Sequence, residues 1–239
     1  MHSPFVYDLL LSTIYNKKNF YVYLQIEKLR TTLSLSNQKV VCVDLGAGSK
    51  VNNSSKKSVQ TILSSAAKSP KYAQLLFRLV NHFQPATILE LGTSLGISSA
   101  YMAAANSKSK LITIEGCEEV AKVAKESFQK LELKNIEQVV GNFDEVLPGV
   151  LKNINQLDFV FFDGNHRKAP TLKYFSQCLE KANEKSVFVF DDIYWSTEMK
   201  EAWEEIKNNE KVTVTLDLFF LGIVFFRKEQ VKQNFIIRY

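Results

Sequence analysis

Short apolar segments alternate regularly with amphipathic segments from Pro85 to the end of the chain. The apolar segments have the length of β-strands and are apolar along most of that length, which is typical of strands buried on both faces. The segments between them repeat apolar residues at helical spacing. Parallel strands joined by right-handed helical crossovers account for this order. The sequence therefore predicts a doubly wound α/β sheet.

Five apolar segments are the predicted parallel strands, at residues 87–90, 111–114, 136–140, 157–162 and 186–190. The predicted helices that follow them are residues 97–105, 118–131, 144–152, 170–182 and 198–207. Two further apolar segments, 211–216 and 220–226, follow each other almost without a connection, so we expect them to pair as an antiparallel hairpin. The fold class is thus α/β, with a Rossmann-like sheet of five parallel strands plus a C-terminal antiparallel hairpin.

The N-terminal part has a different pattern. Helical spacing covers residues 5–36, with a break at 17–19, and two more helices are predicted at 59–67 and 72–83. A short β-rich segment, 39–44, leads into a glycine-containing turn and a lysine-rich stretch, 49–58, which we expect to be a mobile loop. We predict two parts: a mostly helical extension or lid, residues 1–70, and a second domain, residues 71–239.

A second glycine motif lies in the N-terminal part, at Asp44-Leu45-Gly46-Ala47-Gly48-Ser49. It is not followed directly by a segment with helical apolar spacing, as a duplicated nucleotide-binding turn would be. We therefore expect it to form a turn that folds the extension over the active site.

Composition bears on the location of the protein and on its partners. No apolar segment approaches the roughly 20 residues that span a bilayer, so we expect no membrane partner. Cys42, Cys117 and Cys178 are widely spaced among the 239 residues, which predicts unpaired thiols and a cytoplasmic location. A formal net charge of +5 is too mild to indicate a nucleic-acid partner.

The segment from Glu90 to Gly96 is the most informative motif, because it joins a predicted strand to a helix. Gly92 and Gly96 allow the backbone to turn tightly and to approach a ligand closely. Dinucleotide enzymes use G-x-G-x-x-G at this place to hold a pyrophosphate. Here an acid, Glu90, precedes the first glycine by two residues and would repel a pyrophosphate. It suits a ligand with an ammonium and a sulfonium group, such as S-adenosylmethionine.

Polar groups also follow the next two predicted strands. Glu115 ends the second strand, just before Gly116, and can accept hydrogen bonds from both hydroxyls of a ribose. Gly141-Asn142-Phe143 follows the third strand, where a side chain and a backbone N–H can contact the edge of an adenine. Ligands bind at the carboxyl ends of strands in open α/β sheets, so these groups are expected in one site.

These motifs, together with Phe162-Asp163-Gly164, resemble class I S-adenosylmethionine-dependent methyltransferases, and most closely the O-methyltransferase branch that includes the catechol and caffeoyl-CoA enzymes. The resemblance extends from about residue 72 to the C-terminus and points to a poorly characterised bacterial group. It implies that the last strand is inserted between the fifth and the sixth. It also implies a set of cofactor-binding residues: Glu90, Gly92, Thr93, Ser94, Gly96, Glu115, Gly116, Gly141, Asn142, Phe143 and Asp163. Ser94 departs from the family, in which many members have glycine.

Three carboxylates follow the fourth and fifth strands: Asp163, Asp191 and Asp192. Neighbouring strands are about 4.8 Å apart, so these acids can converge above the sheet. In the cation-dependent enzymes of the resembled branch, acids at these places bind Mg²⁺, which orients a substrate hydroxyl and lowers its pKa. Asp192 departs from the Asn that is usual in catechol-type enzymes. The alternative, that Asp163 serves the cofactor while Asp191 and Asp192 cap a loop, stays open.

His166 is the predicted general base, with Asp163 as the second catalytic residue. It stands three residues after Asp163, where catechol-type enzymes have a lysine base. Among the nearby aromatic residues, Tyr194 and Trp195 are expected to face the site. Phe219 and Phe220 are expected to belong to the core.

The predicted function is S-adenosylmethionine-dependent methylation of a hydroxyl on a small-molecule acceptor, with Mg²⁺ assistance as an open addition. Alternatives are a nucleic-acid or protein methyltransferase, a nicotinamide oxidoreductase and a non-catalytic cofactor-binding module. The segment 163–166 stands where enzymes that methylate amino groups of nucleic acids carry a Pro-Pro pair, which counts against a nucleic-acid partner. A homodimer is left open.

Overall fold

The computed structural model describes residues 3–43 and 54–239. The strands are β1 (Lys39–Val43), β2 (Ser54–Ser58), β3 (Thr87–Leu91), β4 (Lys110–Glu115), β5 (Ile136–Val140), β6 (Leu157–Phe162), β7 (Ala182–Asp191), β8 (Val214–Asp217), β9 (Leu221–Phe225) and β10 (Gln233–Ile236). The α-helices are α1 (Pro4–Leu9), α2 (Tyr21–Ser34), α3 (Val59–Ala66), α4 (Pro70–Phe83), α5 (Ile97–Ala105), α6 (Glu118–Lys130), α7 (Phe143–Lys152), α8 (Lys168–Leu179) and α9 (Thr197–Asn208). A π-helical turn, Leu10–Ile14, continues α1.

One eight-stranded sheet has the order β10-β8-β9-β7-β6-β3-β4-β5. Five neighbouring strands of this sheet, β7, β6, β3, β4 and β5, are mutually parallel. Strand β9 is antiparallel to both β7 and β8. The predicted fold class is confirmed, including the insertion of the last hairpin strand between the fifth and sixth strands. Strand β10 adds an edge parallel to β8 and was not predicted, because its alternately exposed residues lack a continuous apolar pattern.

Alternate residues of the central strands face opposite layers of helices. Ile88 of β3 packs in a cluster with α1 and α4, while Leu89 packs in a cluster with α7, α8 and α9. Phe161 and Phe162 of β6 divide between the same two clusters. This period of two, with both sets buried, is what parallel strands covered by helices require.

The first helix belongs to the layer that covers the sheet. Val6 and Leu9 of α1 pack in the same cluster as Leu76 of α4. The buried guanidinium of Arg78 donates hydrogen bonds to the carbonyls of Thr13, at 2.8 Å, and Ile14, at 3.3 Å. The π-helical turn presents these carbonyls to Arg78, so the N-terminal segment is bound to α4 by both apolar and polar contacts. The division into residues 1–70 and 71–239 stays a prediction.

Strands β1 and β2 form a separate antiparallel ladder. The expected loop over residues 49–58 is therefore wrong for Ser54–Ser58, because backbone pairing with Lys39–Val43 orders a polar segment that has little strand propensity of its own. The glycine motif at 44–49 lies outside the described residues.

No helix in the described ranges, 3–43 and 54–239, has the length and apolar character that crossing a membrane requires. The expectation of unpaired thiols is confirmed for Cys178, which is buried and free. It is wrong for Cys117, which takes part in a disulfide. The cytoplasmic location stays a prediction.

Candidate active site

The glycine turn lies tightly against two neighbouring strands. Gly92 has a φ of +107°, and a Cβ added to it would lie 2.2 Å from the carbonyl oxygen of Asp163 at the end of β6. Its backbone N–H donates to the carbonyl of Ile114 in β4, at 3.0 Å. Gly96, with a φ of +81°, begins α5, and its Cβ would lie 2.5 Å from the ring of Phe128. Side chains are excluded at both positions, which leaves a backbone cradle at the sheet edge.

Ser94, between these glycines, is in the left-handed region with a φ of 47°. Its backbone N–H donates to Oε2 of Glu115, at 2.8 Å, and its Oγ is buried without a hydrogen-bond partner among the described residues. Asn165 after β6 and Asp192 after β7 have similar positive φ values, 56° and 53°. Three non-glycine residues thus adopt this conformation at three strand ends, and Ser94 is the one whose residue type favours it least.

Glu90 is fully buried beneath the glycine turn. Its carboxylate accepts hydrogen bonds from Ser98 Oγ at 2.5 Å, from Thr113 Oγ1 at 2.7 Å and from the hydroxyl of Ser99. Burial outweighs these bonds and raises its pKa to about 7. The described contacts of Glu90 thus fix the start of α5, and its predicted direct contact with the cofactor stays a prediction.

Glu115 at the end of β4 holds two backbone segments together. Its Oε1 accepts the N–H of Cys117, at 2.9 Å, and its Oε2 accepts that of Ser94. Burial raises the pKa of Glu115, while these bonds and one from the N–H of Gly116 oppose the increase. A carboxylate has lone pairs for further donors, so the predicted bonds to ribose hydroxyls remain available.

The other predicted cofactor residues lie at the same edge. The N–H of Gly141 donates to the carbonyl of Glu115, at 2.9 Å, and Asn142 Oδ1 accepts the N–H of Asp144, at 2.9 Å, to cap α7. The ring of Phe143 lies against Gly164, where an added Cβ would be 2.6 Å away. Thr93 is buried, with its Oγ1 2.6 Å from Oγ1 of Thr113. The structure thus brings the predicted cofactor residues of β3 to β6 to one edge of the sheet.

The acids predicted at the ends of β6 and β7 also meet. Ligand atoms of Asp163, His166 and Asp191 all lie within 4.8 Å of one another. His166 Nε2 is 3.9 Å from Asp163 Oδ1 and 3.8 Å from Asp192 Oδ2, distances that are too long for hydrogen bonds. Burial lowers the pKa of His166, although Asp191 and Asp192 oppose the decrease. The imidazole is therefore neutral at neutral pH and can take up a proton.

Lys68 completes this acid cluster, and the sequence did not reveal it. Its Nζ is 3.4 Å from Asp163 Oδ1 and contacts Oδ2 of Asp191. Burial alone would lower the pKa of Lys68, but the charges of Asp163, Asp191 and Asp192 outweigh burial and raise it. Lys68 stands between α3 and α4, 123 positions before Asp191 in the chain, and lies in no recognisable motif. Its only local signal is a lysine among small residues at a helix junction.

Burial also determines how the acids of the cluster ionise. It raises the pKa of Asp163 well above its ordinary value, and the adjacent Asp191 adds to this increase while Lys68 opposes it. Burial and Asp191 likewise raise the pKa of Asp192. One ammonium is therefore shared among acids that repel one another.

Four aromatic side chains pack in a chain of ring contacts, and one of them, Tyr72, lies near Asp191. Phe219 and Phe220 are 62% and 49% exposed, so the expectation that they belong to the core is wrong. The ring centroid of Phe219 is 5.6 Å from that of Tyr194, and the ring centroid of Phe220 is 5.5 Å from that of Tyr72. Burial raises the pKa of Tyr72, and Tyr239 and Asp191 add to the increase. Together, Tyr72, Tyr194, Phe219 and Phe220 form an aromatic wall. Its two phenylalanines are exposed because they lie at the tight turn between β8 and β9.

Comparison with known proteins gives a consistent result. Residues 89–193 match a family described as a methyltransferase domain. A catechol O-methyltransferase of Niastella koreensis is 32% identical over 126 residues, which are 52% of this chain and 55% of the relative. The aligned part thus spans about half the length of that curated relative.

Two solved structures share the fold. An O-methyltransferase from Bacillus cereus, in complex with SAH, has a TM-score of 0.62 and 17% identity, over 92% of this chain and 97% of the other. TomG, an O-methyltransferase of Streptomyces achromogenes involved in tomaymycin synthesis, in complex with SAM, has a TM-score of 0.63 and 20% identity, over 93% and 95%. The matches confirm the resemblance inferred from the motifs.

Proposed function

We propose that this chain, whose residues 89–193 match a methyltransferase domain, is a class I methyltransferase that uses S-adenosylmethionine to methylate a hydroxyl oxygen of a small-molecule acceptor. The single observation that carries the proposal is a juxtaposition at one sheet edge. The cradle at Gly92 lies directly against Asp163, which in turn lies beside Lys68 and His166.

The residues present fit the cofactor. Added Cβ atoms at Gly92 and Gly96 would collide with Asp163 and Phe128, so only bare backbone fits in this turn. Glu115 and the Oγ of Ser94, which has no partner among the described residues, supply polar atoms beside it. When bound, S-adenosylmethionine supplies a methyl group: a carbon–oxygen bond forms as the carbon–sulfur bond breaks, and its electron pair returns to sulfur.

The chain itself must position the acceptor and remove one proton. His166 is the group suited to take the hydroxyl proton on Nε2, because burial keeps its imidazole neutral. Alignment of the acceptor oxygen with the methyl carbon is the larger contribution, since positioning converts an encounter into an effectively intramolecular step.

The geometry does not favour the Mg²⁺ that the resemblance implied. The ammonium of Lys68 already lies between Asp163 and Asp191, so a divalent cation would bring a second positive centre to the same oxygens. The proposed reaction therefore includes no step through a metal, and the ligand set Asp163, Asp191 and Asp192 stays a prediction.

The aromatic wall supports a planar acceptor. The rings of Tyr72, Tyr194, Phe219 and Phe220 contact one another, and Tyr72 lies near Asp191. Stacking on them would orient an aromatic hydroxyl compound toward the acid cluster. The name of the curated relative, a catechol O-methyltransferase, is consistent with this substrate class.

Calorimetry with S-adenosylhomocysteine and with NADH tests the cofactor. We expect saturable heat with the first and none with the second. A methylation assay with S-adenosylmethionine bearing a deuterated methyl group, and aromatic hydroxyl compounds beginning with catechol, tests the reaction by mass spectrometry. Absence of binding to S-adenosylhomocysteine would refute the proposal. Binding without transfer to any acceptor would favour the non-catalytic module.

A further inference from the structure

We propose that the ammonium of Lys68 is the resident cation of the cluster formed by Asp163, Asp191 and Asp192, and that it holds the acceptor oxygen in its anionic form. This inference rests on the proposed methyltransferase function. It assigns to a side chain from the N-terminal part the electrostatic role that the resemblance assigned to Mg²⁺.

The first observation is the burial of opposite charges. Asp191 is 2% exposed and Lys68 is 15% exposed, and their charged groups are in direct contact. Nζ of Lys68 is also 3.4 Å from Oδ1 of Asp163. Removing carboxylates from water is costly unless a cation compensates for them, and Lys68 provides that cation from within the chain.

The second observation concerns the donors of the ammonium. A lysine ammonium carries three N–H donors, and Asp163 and Asp191 account for two directions. No other acceptor among the described residues contacts Nζ, so the third donor can serve an oxygen of a bound molecule. His166 shares the same Asp163 oxygen, with its Nε2 3.9 Å away, so a base and a cation lie around one point. A hydroxyl that gives its proton to Nε2 keeps its electron pair on an oxygen beside the ammonium.

The third observation is that Lys68 is held in place from behind. Arg30 Nη2 donates to the carbonyl of Lys68, at 2.8 Å, and Arg30 pairs with Glu27 at 3.0 Å. Tyr101 in α5 donates its hydroxyl to Oε1 of Glu27, at 2.8 Å. Helix α5 begins at the glycine turn, so the network links the position of the ammonium to the predicted cofactor cradle. Such preorganisation is what stabilises charge that develops during a reaction.

A metal-binding measurement tests whether the cluster already has its cation. Mn²⁺ is added to the wild-type protein saturated with S-adenosylhomocysteine, and free Mn²⁺ is followed by electron paramagnetic resonance. We expect no stoichiometric binding. Binding of one Mn²⁺ that Asp191→Asn abolishes would overturn the inference, since it would show that a metal displaces Lys68.

An optical measurement tests the oxygen. The probe is 4-nitrophenol, whose anion is yellow, in the presence of S-adenosylhomocysteine. We expect the wild-type protein to favour the anion of bound 4-nitrophenol. In Lys68→Met the ionisation constant of the bound phenol should fall by about tenfold or more, which is the effect of losing one charge-assisted hydrogen bond. Lys108→Met, which changes an exposed lysine before β4, is the matched control and should behave as wild type. An unchanged probe spectrum in wild type, or equal ionisation in Lys68→Met, would overturn the inference.

The two proposals fail separately. If the wild-type protein does not bind S-adenosylhomocysteine, the methyltransferase proposal is refuted. If it binds S-adenosylhomocysteine but the Mn²⁺ or 4-nitrophenol measurement gives the opposite result, only the Lys68 proposal is refuted. Retained cofactor affinity in Lys68→Met also shows that this variant is folded, and the Mn²⁺ measurement needs no substitution at Lys68.

Discussion

Glu90→Gln should remove one contribution to the pH dependence of the free energy of unfolding of this protein. Glu90 is fully buried, and its pKa is raised from 4.5 to about 7 in the folded state. Between these values the folded state holds a proton that the unfolded state releases. The stabilisation is therefore complete below about pH 4.5 and is lost as the pH rises through about 7.

The magnitude follows from the size of the shift. A change of one pKa unit corresponds to about 1.4 kcal/mol, so ionisation of Glu90 should lower the free energy of unfolding by about 3 kcal/mol across this interval. Glutamine is neutral at every pH and has nearly the same shape. The hydroxyls of Ser98, Ser99 and Thr113 can reorient to accept from its amide group.

Urea unfolding at a series of pH values between 4.5 and 8 measures the effect. Asp163, His166 and Asp192 have shifted pKa values too, so the quantity to compare is the difference between wild type and variant at each pH. That difference should favour the variant increasingly as the pH rises. Glu126→Gln, at an exposed position of α6, is the control and should give a constant difference. A constant difference for Glu90→Gln would refute the assigned ionisation of Glu90.

Three further outcomes are expected. Gly92→Ala should lower the free energy of unfolding by about 3 kcal/mol or more in urea titrations, because its Cβ would lie 2.2 Å from a backbone oxygen. Gly149→Ala, with open space in α7, should raise the free energy of unfolding by about 1 kcal/mol. Equal effects of the two substitutions would contradict the close approach at Gly92. Glu115→Ala should weaken binding of S-adenosylhomocysteine by about 1–3 kcal/mol in calorimetry, since the carboxylate holds the turn at Ser94; unchanged affinity would remove Glu115 from the site. The rate of methyl transfer should fall as the pH drops below the lowered pKa of His166, and His166→Gln should be slow with no such decrease; a decrease that persists in the variant would assign the base elsewhere.

The layered architecture follows from local patterns. Segments such as 111–114 and 157–162 are apolar along most of their length, which is typical of a strand covered on both faces. The alternation with helices then fixes parallel pairing, because the handedness of the crossovers leaves few alternatives. The position of Asp163 and Asp191 at one edge is a consequence of that order.

The backbone conformation of single residues was only partly predictable from the sequence. Gly92 and Gly96 predicted a tight turn, and the structure places both at positive φ. The positive φ of Ser94 has no signal in the sequence, because surrounding contacts rather than its own preference hold a serine in the left-handed region.

The parallel strands, the glycine turn and the set of acids were predictable, because each depends on the spacing of neighbouring residues. The entry of Lys68 into the acid cluster, the hydroxyls around Glu90 and the exposure of Phe219 became visible in the folded chain alone. These features depend on contacts between residues far apart in the chain. A short pattern carries no information about which distant side chain will compensate a buried charge, so that choice belongs to the packing of the whole chain.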